Sequence, residues 1–269
     1  MFSVLLSIYY KESAKHLAQA LNSISEQTFR PNEIILIEDG PLTPELNSII
    51  TSYKTNEPTL KVISLPQNQG LGKALNEGLK HCTYDLVARM DTDDIALPDR
   101  FEKQTAFMEA HPEIDACSGW IDEFIDTPDN IVSRRTLPET SEELYRFGKS
   151  RNPLNHPAVM FRKSAVLKAG GYQHFPLFED YYLWVRMMMK GSKLYNLQEP
   201  LLLFRSSQDM YKRRGGMKYA LTELRFQRTI HKLGYISLTK MWANSLTRFI
   251  ARIIPNKLRG LLYKSVLHK

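Results

Sequence analysis

Residues 86–94 read LVARMDTDD, an apolar run that gives way to three carboxylates, Asp91, Asp93 and Asp94, within four positions. Leu86–Val87–Ala88 has the composition of a buried strand, and the acidic residues sit where that strand should end. Like charges this close raise one another's pKa and destabilise a fold unless water or a cation offsets the repulsion. The stretch is therefore either a solvated turn or a metal site, and the surrounding pattern bears on which.

Upstream, strand and helix signals alternate. Val4–Ile8 is a short apolar run, and Ala14, Leu17, Leu21 and Ile24 then recur at helical spacing before the break at Gln27–Pro31. Ile34–Ile37 ends in Glu38–Asp39–Gly40, and Leu46, Ile49, Ile50 and Tyr53 mark a second helix. Leu60–Leu65 predicts a third strand, Lys73–Lys80 a third helix and Leu86–Met90 a fourth strand. Short apolar strands alternating with helices predict a parallel sheet covered on both faces. Ligands of such sheets bind beyond the carboxyl ends of the strands. That rule gathers Ser7–Tyr9–Tyr10, Asp39–Gly40 and Asp91–Asp94 on one rim, and two strand ends loaded with Asp favour a ligand site over two solvated turns.

The stretch Asn68–Gln69–Gly70–Leu71–Gly72–Lys73 lacks the third glycine of a dinucleotide turn and the spacing of a phosphate loop, so Gly70 and Gly72 read as a flexible lead-in to the third helix. Downstream, Phe101, Thr105 and Met108 mark one side of a further helix. Two clusters then stand apart: Asn155–His156–Pro157 on an irregular segment, and Phe178–Trp184, which opens a helix running through Met189. Glu179 and Asp180 at that helix start suit either the helix dipole or catalysis.

With 269 residues, 43% of them hydrophobic, the chain suits one large domain or a domain with an appendage, and it reads as soluble and globular. Cys82 and Cys117 have no partners at ligand spacing, which points away from zinc and disulfides and towards a reducing cytosol. The start, MFSVLLSIYYKES, has no basic segment before its apolar residues and reads as a strand, not a secretory signal. No apolar run reaches the roughly 18 residues of a membrane span.

Charge is unevenly placed. No acidic residue follows Glu223, and ten of the 36 Lys and Arg fall in 225–269, leaving 26 basic against 29 acidic residues before that point. A body without basic excess excludes a nucleic-acid binder that spreads cations over its fold. In the tail, Leu246, Phe249, Ile250, Ile253 and Ile254 follow helical spacing, and after Pro255 so do Leu258, Leu261, Leu262 and Val266. Two basic amphipathic segments predict an anchor on an anionic membrane surface, with packing on the body as the alternative.

The ordered set VLLSIYYKE, QTFRPNEIILIEDG, NQGLGKALNEGL, ARMDTDDIALPDRFEKQ, NHPAVMFRKS and FEDYYLWVR resembles glycosyltransferase family 2, inverting enzymes of the GT-A fold, over most of residues 2–205. EDGPLTPEL and the later RRGG resemble the members that build bacterial exopolysaccharide, capsule or lipopolysaccharide. The resemblance implies an α/β fold with a Rossmann-like, mixed but mainly parallel sheet. A transferase domain would span 1–215, nucleotide-binding over 1–95 and acceptor-binding over 96–215, followed by a basic helical tail over 216–269. It implies a nucleotide-sugar donor, UDP-linked, and a glycan or lipid-linked oligosaccharide acceptor. The protein would be cytoplasmic, peripheral on the inner face of the bacterial cytoplasmic membrane.

Residue by residue, the resemblance implies that Asp93 and Asp94 hold Mn²⁺ or Mg²⁺ and that Ser7, Tyr9, Glu12, Asp39, Lys73 and Asp91 bind the donor nucleotide. Asp180, with Glu179 beside it, matches the catalytic base. Lys212, Arg213 and Arg214 are expected to close over the diphosphate as a lid, or else to form a solvated linker. Trp184 is expected to face the acceptor or to pack in the core, and His156 to line the site or to serve the fold. Family members usually carry Asp-Asp before the glycine where this chain has Glu38–Asp39. Two rivals stand beside this reading: a sugar nucleotidyltransferase, whose Gly- and Arg-rich first loop is absent at Ser7–Glu12, and a non-catalytic membrane scaffold.

Overall fold

Uninterrupted apolar sequence makes the first strands. In a computed structural model that describes residues 1–206 and 216–253, β1 (Ser3–Ile8) and β2 (Glu33–Glu38) each bury five of their six residues. α1 (Ala14–Ser25) joins them, turning Leu17, Ala20, Leu21 and Ile24 inward. α2 (Pro44–Asn56) begins with Pro44 in its first turn and Thr43 Oγ1 accepting from Leu46 N, two devices that satisfy or remove orphan donors at a helix start. β3 (Leu60–Ser64), α3 (Leu71–His81) and β4 (Leu86–Arg89) complete the alternation, and the strand order β3-β2-β1-β4 is parallel throughout.

The second half departs from that simple pattern. In chain order come β5 (Ile95–Ala96), α4 (Arg100–Ala110), β6 (Ala116–Phe124), β7 (Ile131–Arg135), α5 (Ser141–Phe147), β8 (Met160–Arg162), α6 (Lys163–Lys168), α7 (Glu179–Met189) and β9 (Leu194–Arg205). β8 runs antiparallel to β4, and the sheet continues β6-β9-β5, with β7 pairing β6 at its side. The sheet is therefore mixed, with its longest pairings parallel. β4 ends at Arg89, and the chain beyond it leaves the sheet at the carboxyl rim of the parallel strands.

Gln27 shows how two distant motifs become one device. Its buried amide donates to Ser23 O at 3.0 Å and Leu97 O at 2.7 Å and accepts from Phe101 N at 3.0 Å. Thr28 N adds a bond to Pro98 O at 2.9 Å. The QTF and ALPDRF stretches thus clamp the loop that follows the acidic residues.

The chain divides into two compact units, Met1–His174 with Glu179–Arg205, and Phe175–Phe178 with Ser206–Lys269. The described part of the second holds α8 (Met217–Lys232) and α9 (Leu238–Ile253). Its core stacks Phe178 on Phe226 at 4.9 Å between ring centroids, with Phe175 edge-on to Phe226 at 5.4 Å. Lys212, Arg213, Arg214 and the second amphipathic stretch from Leu258 to Val266 lie outside the described residues. Within α9, Leu246 and Ile250 point to solvent, and their stripe begins earlier than its sequence periodicity suggested, at Leu238 and Trp242.

A buried carboxylate ties the first sheet together. Glu33 accepts from Ser3 Oγ at 2.6 Å, Thr83 N at 2.5 Å, Thr83 Oγ1 at 2.9 Å and Lys61 Nζ at 2.8 Å. Burial alone would push this carboxyl up, but the bonds from Lys61, Ser3 and Thr83 outweigh it and bring it from about 4.5 down to about 2. A depressed native pKa contributes stability above the unfolded value and loses it as pH falls through the folded one. Denaturant midpoints of the wild type should therefore fall between about pH 4.5 and 2 by a share absent from Glu33→Gln. At pH 7 that variant should already be less stable, by ~1–3 kcal/mol.

Candidate active site

The acidic loop begins where β4 stops. Met90 N still bonds Leu5 O of β1, at 3.2 Å, and the next residues project past the sheet. One carboxylate oxygen from each of Asp91, Asp93 and Asp94 lies within 4.8 Å of the others. Asp94 is fully buried; its Oδ1 accepts from Arg205 N at 2.9 Å, while its Oδ2 has no hydrogen-bond partner among the described residues. Burial, then the charges of Asp91 and Glu12, push the Asp93 carboxyl up, and burial, then Asp93 and Asp91, push Asp94 well above the ordinary carboxylate range. Clustered hard oxygens, one buried and orphaned, fit a divalent cation that takes oxygen ligands. Crowding and the burial of Asp94 thus set this loop apart from a fully solvated turn and make it a candidate cation site.

Arg205, at the end of β9, braces the loop. Its Nε donates to Asp93 O at 2.8 Å and one terminal nitrogen to Gln19 Oε1 at 2.8 Å, while its guanidinium lies 4.6 Å from the Phe124 ring centroid. Arg89 braces it from below. This buried side chain donates Nη1 to Asp91 Oδ2 at 2.9 Å and Nη2 to Asp91 Oδ1, a two-pronged pair only a planar guanidinium makes. A second buried guanidinium, Arg100, donates to Arg89 O at 2.7 Å and to Gln104 Oε1 at 3.0 Å. Burial, and then the charge of Arg89, lower Arg100 to about 9.

Asp180 lies in the first turn of α7. Its Oδ2 accepts from Asn152 Nδ2 at 2.6 Å. Burial raises its carboxyl above the ordinary range, against the opposing bonds from Tyr181 N and Asn152 and the charge of Arg89. Glu179 sits where α3 comes close: a Cβ on Gly72 would lie 3.3 Å from Glu179 Cγ. Trp184 is fully buried, which matches core packing and not the acceptor-facing alternative. Beneath the site its ring meets His156 edge-on at 6.0 Å, and His156 Nε2 pairs with Tyr172 Oη at 2.9 Å. Burial and then Arg89 push His156 well below its ordinary pKa, so it is a neutral ring buried in the support of the site.

Asp39 is occupied within the fold. Its carboxylate accepts from Gln69 N at 2.7 Å and Gly70 N at 2.9 Å, pinning the loop before α3. Gly40, at φ +88°, lets the two loops touch, because a Cβ there would lie 2.6 Å from Asn68 N. Gly70, at φ +90°, starts α3 in a conformation that L side chains rarely adopt. The two glycines of NQGLG are thus a fixed turn and a close helix approach, not a flexible lead-in. Each carboxylate oxygen of Asp39 retains a second acceptor direction. Ser7, Tyr9 and Glu12 are half-buried at the end of β1 and in the loop beyond, and Lys73 is exposed in the first turn of α3.

Arg89, Asn152, Tyr172 and Arg205 escaped the sequence reading. Only Arg89 left a signal: an arginine inside a strand whose neighbours are all buried needs a buried partner.

Residues 3–170 match the family described as glycosyl transferase family 2. The chain belongs to that family. A UDP-Gal:alpha-D-GlcNAc-diphosphoundecaprenol beta-1,3-galactosyltransferase of Escherichia coli is 40% identical over 100% of this chain and 97% of its own length. An amylovoran biosynthesis glycosyltransferase of Erwinia amylovora is 40% identical over 98% of each chain. Among solved structures, a mannosyltransferase of Pyrobaculum calidifontis in complex with GDP-Man and Mn²⁺ superimposes with a TM-score of 0.66 at 16% identity, covering 98% of this chain and 78% of that one. This family 2 glycosyltransferase thus has the mixed α/β sheet of GT-A enzymes.

Removing the Arg89 guanidinium leaves Asp91 without its partner. Arg89→Ala should lower unfolding stability by ~3 kcal/mol or more. Arg89→Lys should recover only part of it, because an ammonium cannot form the two-pronged bond, as chemical denaturation will measure.

Proposed function

We propose that the enzyme transfers a sugar, with inversion, from a UDP-sugar to a lipid-linked glycan acceptor in bacterial surface polysaccharide synthesis. The observation that carries this is the cluster of Asp91, Asp93 and Asp94 at the carboxyl end of β4, with Asp94 Oδ2 buried and unpartnered. The E. coli relative, named for a UDP-Gal donor and a diphosphoundecaprenol-linked acceptor, supports the substrate classes. The sugar nucleotidyltransferase and the inert scaffold gain no such support.

In this mechanism Asp93 and Asp94 would hold Mn²⁺ or Mg²⁺, and Asp91, oriented by Arg89, would face the donor. When bound, the cation neutralises charge on the departing nucleoside diphosphate. Ser7, Tyr9, Glu12 and Asp39 receive the base and ribose: Tyr9 supplies a ring face and Asp39 an acceptor for a base N–H. Lys73, at the start of α3, adds a positive charge for the diphosphate. Asp180 takes the proton from the acceptor hydroxyl as it attacks the anomeric carbon opposite the leaving group. Burial that raises the Asp180 pKa makes it a stronger base, and Asn152 fixes its orientation. Glu179 shapes the same edge of the site.

Two measurements test the reading. Calorimetry should show Mn²⁺-dependent binding of UDP in preference to GDP, abolished in Asp93→Ala/Asp94→Ala; binding of neither nucleotide would remove the donor site. Asp180→Asn should keep donor binding but lose ~10²–10⁴-fold in kcat. In the wild type, activity should decline as pH falls through a carboxyl raised above its ordinary range, because the base acts deprotonated.

A further inference from the structure

α9 is built inside out. Apart from the buried Met241, the face it turns to α8 is polar: Asn244 Nδ2 donates to Gln227 Oε1 at 2.9 Å, Arg248 pairs with Glu223, and Ser245 is buried beside them. The opposite face is apolar. Leu238, Trp242, Leu246 and Ile250 recur every four residues and are 54%, 60%, 63% and 51% exposed. A helix that folds only against its own protein reverses this arrangement, because apolar area is what burial rewards. Exposed apolar stripes of this length mark a surface that meets something else.

The charge around the stripe selects what it meets. Arg225, Arg228 and Lys232 are exposed along α8, and no acidic residue follows Glu223, itself buried against Arg248. An apolar stripe carrying a tryptophan, within a helix pair whose exposed charges are cationic, has the make-up of an interfacial helix on an anionic bilayer. We propose that Leu238, Trp242, Leu246 and Ile250 insert into the headgroup region of anionic lipid, with α9 lying along the membrane plane. This rests on the reading of a lipid-linked acceptor and adds to it the face that makes contact, within folded helix pair α8–α9 and not only in the residues after Pro255.

The test uses the full-length protein with phosphatidylglycerol/phosphatidylcholine vesicles and with phosphatidylcholine alone. Trp242→Gln/Leu246→Gln changes only exposed side chains, and circular dichroism melting verifies that the variant is folded. Wild type should sediment with the anionic vesicles, less so as salt rises, and the double variant should bind at least ~10-fold more weakly. Trp120 and Trp184 are half-buried and buried, so vesicles should shift the wild-type emission to the blue through Trp242, and Trp242→Phe should abolish that shift while keeping binding.

Undiminished binding by the double variant would overturn the proposal. That result together with loss of binding in Leu261→Gln/Leu262→Gln would place the anchor after Pro255. Concentration-dependent self-association without lipid, abolished by the double variant, would assign the stripe to a second copy of the chain and overturn it as well. Calorimetric UDP binding on the same preparations, which the stripe variant should leave unchanged, separates failure of this inference from failure of the transferase reading.

Discussion

Three carboxylates held within reach of one another at the end of one strand are the constraint around which the first unit is arranged. Their repulsion is met by two arginines of different kinds. Arg89 lies under the loop and engages Asp91 through a planar fork, while Arg205 holds the loop's backbone and leaves the Asp93 side chain uncommitted. The balance is partial: the Asp93 and Asp94 carboxyls stay raised above their ordinary range, and one buried oxygen keeps no partner among the described residues. A fold that fully neutralised the cluster would hold itself together better and leave less unmet negative charge at the strand end. The residual imbalance is the chemical capacity of the site.

The same logic explains why so much of the support is polar yet inaccessible. Arg100, Gln104, Asn155, His156 and Tyr172 are buried with their hydrogen bonds directed at backbone carbonyls or at each other. Such networks stabilise little beyond an apolar core of equal volume, but they fix side-chain orientation, which an electrostatic site requires. Trp184 belongs to this layer, filling space beneath His156.

Legibility followed the physics of each segment. β1, β2 and β4 were readable because strands buried on both faces are continuously apolar; β3, an edge strand with Lys61 and Ser64 exposed, was readable from its place in the alternation. The second half was not: β5 has two residues and β8 three, too short for any periodicity, and β7 is largely exposed. Asp91, Asp93 and Asp94 were legible as a cluster because they stand within four positions, and the structure keeps one oxygen of each within 4.8 Å of the others; Asp180 stood out only through the family resemblance. The role of Asp39 as a backbone clamp was not, since its partners are amide groups that every residue possesses. Arg205 is 111 positions from Asp94, and nothing local marks the pairing. In the tail, spacing revealed an apolar stripe but could not tell that its far side, carrying Asn244 and Arg248, is the one that packs.

The antiparallel return of β8 beside β4 also sets an order in time. The parallel strands β3-β2-β1-β4 use only the first 89 residues and can pair as soon as these are made. Arg89 N finds its acceptor only at Val159, and Asp94 finds its amide donor only at Arg205. A chain still emerging from the ribosome therefore carries its crowded carboxylates on an open strand end until more than twice that length has appeared. The arrangement of these oxygens is the last property this early sheet acquires, so an incomplete chain carries the carboxylates without the contacts that hold them in the finished enzyme.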